Sequence, residues 1–205
     1  APGHARHGRR TCAPTANAGD GFAFSGGSTS SGTAIALPNT LLSGLADVTV
    51  DFDLWVDPSL TSGNWFMYNL GNAATYPNGT GYLFTTNDSS NRLRSTIAEN
   101  GFATEQSASR PGRVPTGQWR HITYSIDGGT PAAPGTAQVY DDGVLVATNA
   151  NLTTNPALLG EPDGTTTRNV LGRSAYSGDL SFKGRLRDFR VYSRALTGAE
   201  AASSA

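Results

Sequence analysis

The chain has few of the residues that usually mark a metal or catalytic centre. Cys12 is its one cysteine, so no intrachain disulfide can form, and no His/Cys cluster has zinc spacing. Two of the three histidines, His4 and His7, share a polar leader with Cys12, where a bound metal is not the expectation. Lys183 is the only lysine, charged residues make up 15% of the chain, and net charge is -1. There is no basic excess to attract a nucleic-acid backbone or an anionic membrane. No apolar run approaches the ~20 residues that span a bilayer.

What the chain does have is glycine, at 25 residues, with frequent Ser, Thr and Asn. These supply turns, and Thr also suits strands. At 205 residues the chain suffices for one sandwich with a full core. Residues 1–19 have no hydrophobic period and read as a flexible linker or leader. Residues 20–200 read as one domain, and 201–205 as a C-terminal tail. The clearest strand is 47–57, where Val48, Val50, Phe52, Leu54 and Val56 alternate with Asp47, Thr49, Asp51, Asp53, Trp55 and Asp57. Further strands are predicted at 65–71, 81–86, 93–99, 119–127, 136–143, 144–149, 168–174 and 186–192. Asp142-Gly143 marks a hairpin turn, and LTGAEAASS (196–204) a short closing helix.

Five segments carry a family resemblance: GFAFSGG (21–27), LADVTVDFDLWVDP (45–58), GQWRHITYSID (117–127), VYDDGVLV (139–146), and LGRS (171–174) followed by FKGRLRDFRVYSRALTGAE (182–200). In this order they resemble the laminin-G-like jelly-roll superfamily, in the bacterial concanavalin A-like branch found attached to secreted glycoside hydrolases. The resemblance implies an all-β, two-sheet antiparallel jelly-roll sandwich of about 13 strands. It also implies first and last strands that lie together, in many members with a structural Ca²⁺ nearby. Many members are extracellular accessory modules of plant-polysaccharide-degrading enzymes, arabinan among the substrates. Others are adhesion or protein-binding modules.

Catalysis is not expected. Concanavalin-like glucanases carry Glu-x-Asp-x-x-Glu on one strand, and none of Glu99, Glu105, Glu161 and Glu200 sits in that pattern. Asp51 and Asp53 have carboxylate spacing near the glycosidase range but read as solvated acids on a polar face. His121 has no nucleophile-elbow sequence beside it and reads as a packed histidine. Trp55, Trp119 and Trp65 read as packing residues. The remaining expectation is a non-catalytic module that binds a polysaccharide or oligosaccharide through Asn69, Tyr76, Tyr82, Arg94, Arg173 and Tyr176. Tyr76 and Tyr176 stand in Gly/Asn/Ser-rich loops, where burial is least expected, and Tyr82, Arg94 and Asn69 are placed on a concave sheet. For Ca²⁺ the candidate ligands are Asp20 and Asp188, with Arg187 standing where relatives often have a second acid.

Overall fold

The computed structural model describes residues 16–17, 20–28, 32–74 and 80–205. The expectations placed on His4, His7, Cys12 and Tyr76 lie outside the described residues. Thirteen strands are present among those described: β1 Ala16–Asn17, β2 Gly21–Ser28, β3 Ile35–Ala36, β4 Val48–Val56, β5 Trp65–Gly71, β6 Tyr82–Asn87, β7 Arg92–Ala98, β8 Gln106–Pro111, β9 Trp119–Asp127, β10 Gly135–Asp141, β11 Val144–Leu152, β12 Val170–Leu171 and β13 Leu180–Tyr192. One α-helix, α1 Gly198–Ser204, is present among the described residues.

The strands form one hydrogen-bonded ladder in the order β11-β10-β9-β4-β13-β5-β6-β7-β8. In a flat sheet β8 and β11 would be farthest apart. Here they meet: Gln106 donates to Thr153 Oγ1 at 3.0 Å and accepts from Thr153 N at 2.8 Å, while Arg110 of β8 pairs with Asp141 of β10 at 2.7 Å. The ladder therefore folds over into two layers. The fold-over lies at β13, where Leu180 and Ser181 pair parallel with β5 and the strand then runs antiparallel along β4. Gly184 sits at this crossing with φ 152°, and a Cβ there would lie 2.1 Å from the Trp55 carbonyl oxygen. The first long strand, β2, pairs with β13, as the resemblance implies.

Period-two alternation produces the core. Val48, Val50, Phe52, Leu54 and Val56 of β4 join Ile122, Tyr124 and Ile126 of β9 against Trp65, Met67, Tyr68 and Leu70 of β5, all buried. In β13 the alternation breaks at a bulge between Arg187 and Arg190, with Asp188 at φ 51°. The extra residue lets both Arg187 and Asp188 face outward and turns Phe189 inward onto Phe52 and Tyr68, with ring centroids at 5.7 and 5.5 Å. The Asp142-Gly143 turn is as expected, with φ 50° and 73°, the two-residue hairpin geometry that needs positive φ twice.

Several expectations change: β1 falls within the segment read as a linker, and β3 has no counterpart among the predicted strands. β8, QSASRP, was not predicted, because it carries no apolar alternation. Residues 201–205 are not a trailing tail: α1 runs through Ser204, Ala201 is buried, and a Thr197/Glu200 capping box starts the helix.

Candidate functional site

The β5-β6-β7-β8 layer buries one face in the core. Its other face carries a second apolar cluster: Phe66, Tyr82, Phe84 and Ala98 from the strands, covered by Ala74, Ala175 and Tyr176 from loops. The rings form a ladder. Tyr82 stacks on Phe84 at 5.4 Å, while Phe66 meets Phe84 edge-on at 4.8 Å and Tyr176 meets Tyr82 edge-on at 5.5 Å. The guanidinium of Arg94 lies over Phe84, 5.2 Å from the ring centre.

A polar chain grows from this ladder. Tyr82 donates to Glu105 Oε1 at 2.9 Å, so the Tyr176 hydroxyl, 2.7 Å away, donates to Tyr82. Burial, with these partners, raises the Tyr82 pKa above the ordinary tyrosine value. The other oxygen of Glu105 takes an ion pair with Arg94 Nη1. Asp88 pairs with Arg92 at 2.7 Å and lies 4.0 Å from Arg94 Nε. Beside these pairs opens a groove of about 410 Å³, lined also by Asn64, Ser89, Phe102 and Ser107. Phe102, in the one-turn 3₁₀ segment Phe102–Thr104, is 49% exposed at its edge. The groove thus joins an exposed aromatic to fixed hydrogen-bonding charges, the mixture typical of ligand sites.

Three of the expected sugar-binding residues, Tyr82, Arg94 and Tyr176, are brought together here, but two are not contact residues. Tyr82 is fully buried and Tyr176 is 6% exposed, so neither is a surface platform; they set the position of Glu105. The Tyr176 loop is pinned inward because Ser174 Oγ accepts from Tyr176 N and donates to Asp179. Asn69 is not on the open sheet surface: it is buried and donates to the Arg168 carbonyl at 2.8 Å. Arg173 gives its Nη2 to the Gly32 carbonyl, away from the groove. Phe102, Glu105, Asp88 and Arg92 were missed. Phe102 in ENGFATE met the same criterion applied to Tyr76, an aromatic in a Gly/Asn loop. Glu105 had no local signal.

The opposite layer holds the acids considered for catalysis, and they are not solvated. Asp51 is fully buried; its Oδ1 takes His121 Nε2 and Thr123 Oγ1, both at 2.7 Å, and its Oδ2 takes Arg190 at 3.3 Å. Asp53 takes His121 Nδ1 at 2.8 Å and Arg187 at 2.7 Å. Burial opposes the charge of Asp51 and of His121. Even so, the hydrogen bonds and mutual attraction raise the His121 pKa and lower that of Asp51. With both acids committed to His121 and no way in for a substrate to Asp51, this cluster is structural. Trp55 and Trp119 flank it on the outer face, under Arg185 at 5.3 Å and Arg187 at 4.2 Å. They pack, but against guanidinium planes and not in the core.

Asp20 and Asp188, the candidate calcium ligands, are both exposed and stand beside arginines. Asp20 is answered by Arg185 at 3.6 Å, and Asp188 lies 3.8 Å from Arg190 and 4.0 Å from Arg187. Among the described residues no three acids or histidines gather as metal ligands.

Comparison with solved structures finds the same fold in other proteins. The CBM40 of the Ruminococcus gnavus IT-sialidase, bound to α2,3-sialyllactose, superposes with a TM-score of 0.66 at 15% identity, covering 90% of this chain and 95% of that one. Domain 4 of AbnA, a GH43 extracellular arabinanase from Geobacillus stearothermophilus in complex with arabinotriose, gives 0.61 at 20% identity, covering 83% and 71%. No curated protein matches the chain significantly. A family model matches residues 27–202, and the chain belongs to the concanavalin A-like lectin/glucanases superfamily.

Proposed function

We propose that this domain is a non-catalytic carbohydrate-binding module, an accessory to an extracellular polysaccharide-degrading glycoside hydrolase, and that it holds saccharide in the Phe102 groove. The observation that carries this reading is a half-exposed aromatic set against ion pairs already locked in place. A sugar ring offers an apolar C–H face to an aromatic and a rim of hydroxyls to charged donors and acceptors. Because Tyr82, Tyr176 and Phe84 hold Glu105 and Arg94 beforehand, little ordering cost falls on binding. The solved relatives crystallised with sialyllactose and arabinotriose support the reading. Plant polysaccharides such as arabinan are the first class to try. Asp88 and Glu105, the acids at the groove, each have a guanidinium partner, which favours binding over hydrolysis.

Affinity gels containing arabinan and other plant polysaccharides, with a glycan array that includes sialylated glycans, test this. The expected result is retention without release of reducing sugar, weakened about tenfold, ~1.4 kcal/mol, by Phe102→Ala. Retention unaffected by Phe102→Ala would move the site elsewhere. Failure to bind any glycan sinks the reading. Sugar release lost in Glu105→Gln would replace it with a hydrolase.

A further inference from the structure

A second groove, of about 560 Å³, adjoins the first and shares Glu105 and Ser107 with it. It crosses the seam where β8 meets β11, and its far wall is formed by Gln106, Asn149, Asn151 and Thr153. Apart from the shared Glu105, nothing in its lining is charged. The seam is fixed: Gln106 uses both ends of its amide on Thr153. The side-chain oxygen of Asn149 accepts from Asn151 N at 3.0 Å. That leaves the Asn149 Nδ2 and the Asn151 side-chain amide without a protein partner among the described residues, both reachable from the groove.

From this we infer that the site continues across the seam as a second, neutral subsite, and that its ligand is a linear oligosaccharide whose next sugars are uncharged. The inference rests on the Phe102 groove being the saccharide site. The first groove pairs an aromatic with charges and orients one unit. The second offers amides and hydroxyls, which suit sugar hydroxyls, and no cation of its own to pair with a carboxylate. Each groove falls within the ~300–1,000 Å³ of small-ligand sites, so the pair has room for more than one sugar.

Calorimetric titration of the whole chain with arabino- and xylo-oligosaccharides of two to six sugars tests the inference. Affinity in at least one series is expected to rise about tenfold as the chain lengthens beyond the first groove, then level off. The Asn149→Ala/Asn151→Ala variant is expected to lose this rise while keeping its affinity for the shortest ligand. An unchanged melting curve would show its fold intact. Phe102→Ala is expected to weaken every length alike. Affinity independent of length, or a rise that survives the double variant, overturns the second subsite and leaves the Phe102 reading standing. No binding by any member of either series also overturns it. Loss of the Phe102→Ala effect overturns the reading beneath it.

Discussion

Arg94 has 14% of its side chain exposed, and a guanidinium that far from water is stable only while its charge is answered. Glu105 answers it, with Asp88 at 4.0 Å a weaker second. Glu105→Gln keeps an acceptor for Tyr82 but removes the charge. We expect a loss of about 1–3 kcal/mol, which at about 2–4 °C per kcal/mol for a domain of this size shows as a lower Tm in calorimetry. An unchanged Tm would mean that Asp88 suffices. At Asp20 and Asp188 the charge of each carboxylate is already balanced by an arginine 3.6–4.0 Å away. The melting curve is therefore expected to stay the same with chelator and with added calcium, and a calcium-dependent rise in Tm would reverse this. The aromatics show how far single residues can be read. Tyr176 sits in a Gly/Ser loop, which predicts exposure, yet its hydroxyl finds Tyr82, a partner 94 positions away. No local pattern carries information about such a partner.

At the scale of elements, α1 is the informative one. With seven residues it is too short to persist alone. It is held by packing through Ala201 and by Ser204, whose hydroxyl lies 3.3 Å from both Asp51 Oδ1 and His121 Nε2. The segment before it is stitched to β4 and β9, as Thr49 Oγ1 accepts from Leu196 N and Ser125 Oγ donates to its carbonyl. The latch titrates. His121 has a raised folded-state pKa, so its contribution is complete below the unfolded value near ~6.5 and is lost as pH rises through the folded value. Asp51 has a lowered one, so its contribution is complete above the unfolded value near ~3.9 and is lost as pH falls through the folded value. Stability is expected to peak between these limits, on the acid side of neutrality. A Tm profile should therefore fall from mildly acidic to alkaline pH in the native chain, and His121→Gln should flatten that limb. An equal alkaline fall in the variant would assign it to other groups. Most strands were legible because β4, β5, β6, β7 and β9 alternate or carry continuous apolar runs. β8 was not, since QSASRP has only Ala108 to bury; pairing with β7 makes it a strand, and it lines both grooves.

Over the whole molecule, Phe52 lies fully buried where the layers meet, edge-on to Tyr68 at 5.6 Å and beside Phe189 of β13. Phe52→Ala should cost about 3–5 kcal/mol and lower Tm by roughly 10 °C. A change below about 1 kcal/mol would mean that the layers close over the gap. Sequence by itself determined the fold class, the main strands and the absence of a glucanase carboxylate pattern. Alternation and turn chemistry act between near neighbours and are therefore written locally. Only the tertiary structure decided that Asp51 and Asp53 belong to a closed histidine cluster and that Tyr82 and Tyr176 support rather than touch. It alone set the Phe102 groove beside the β8–β11 seam. Those outcomes depend on which distant strands the fold-over at β13 brings together, and register between distant segments is a property of the packed whole.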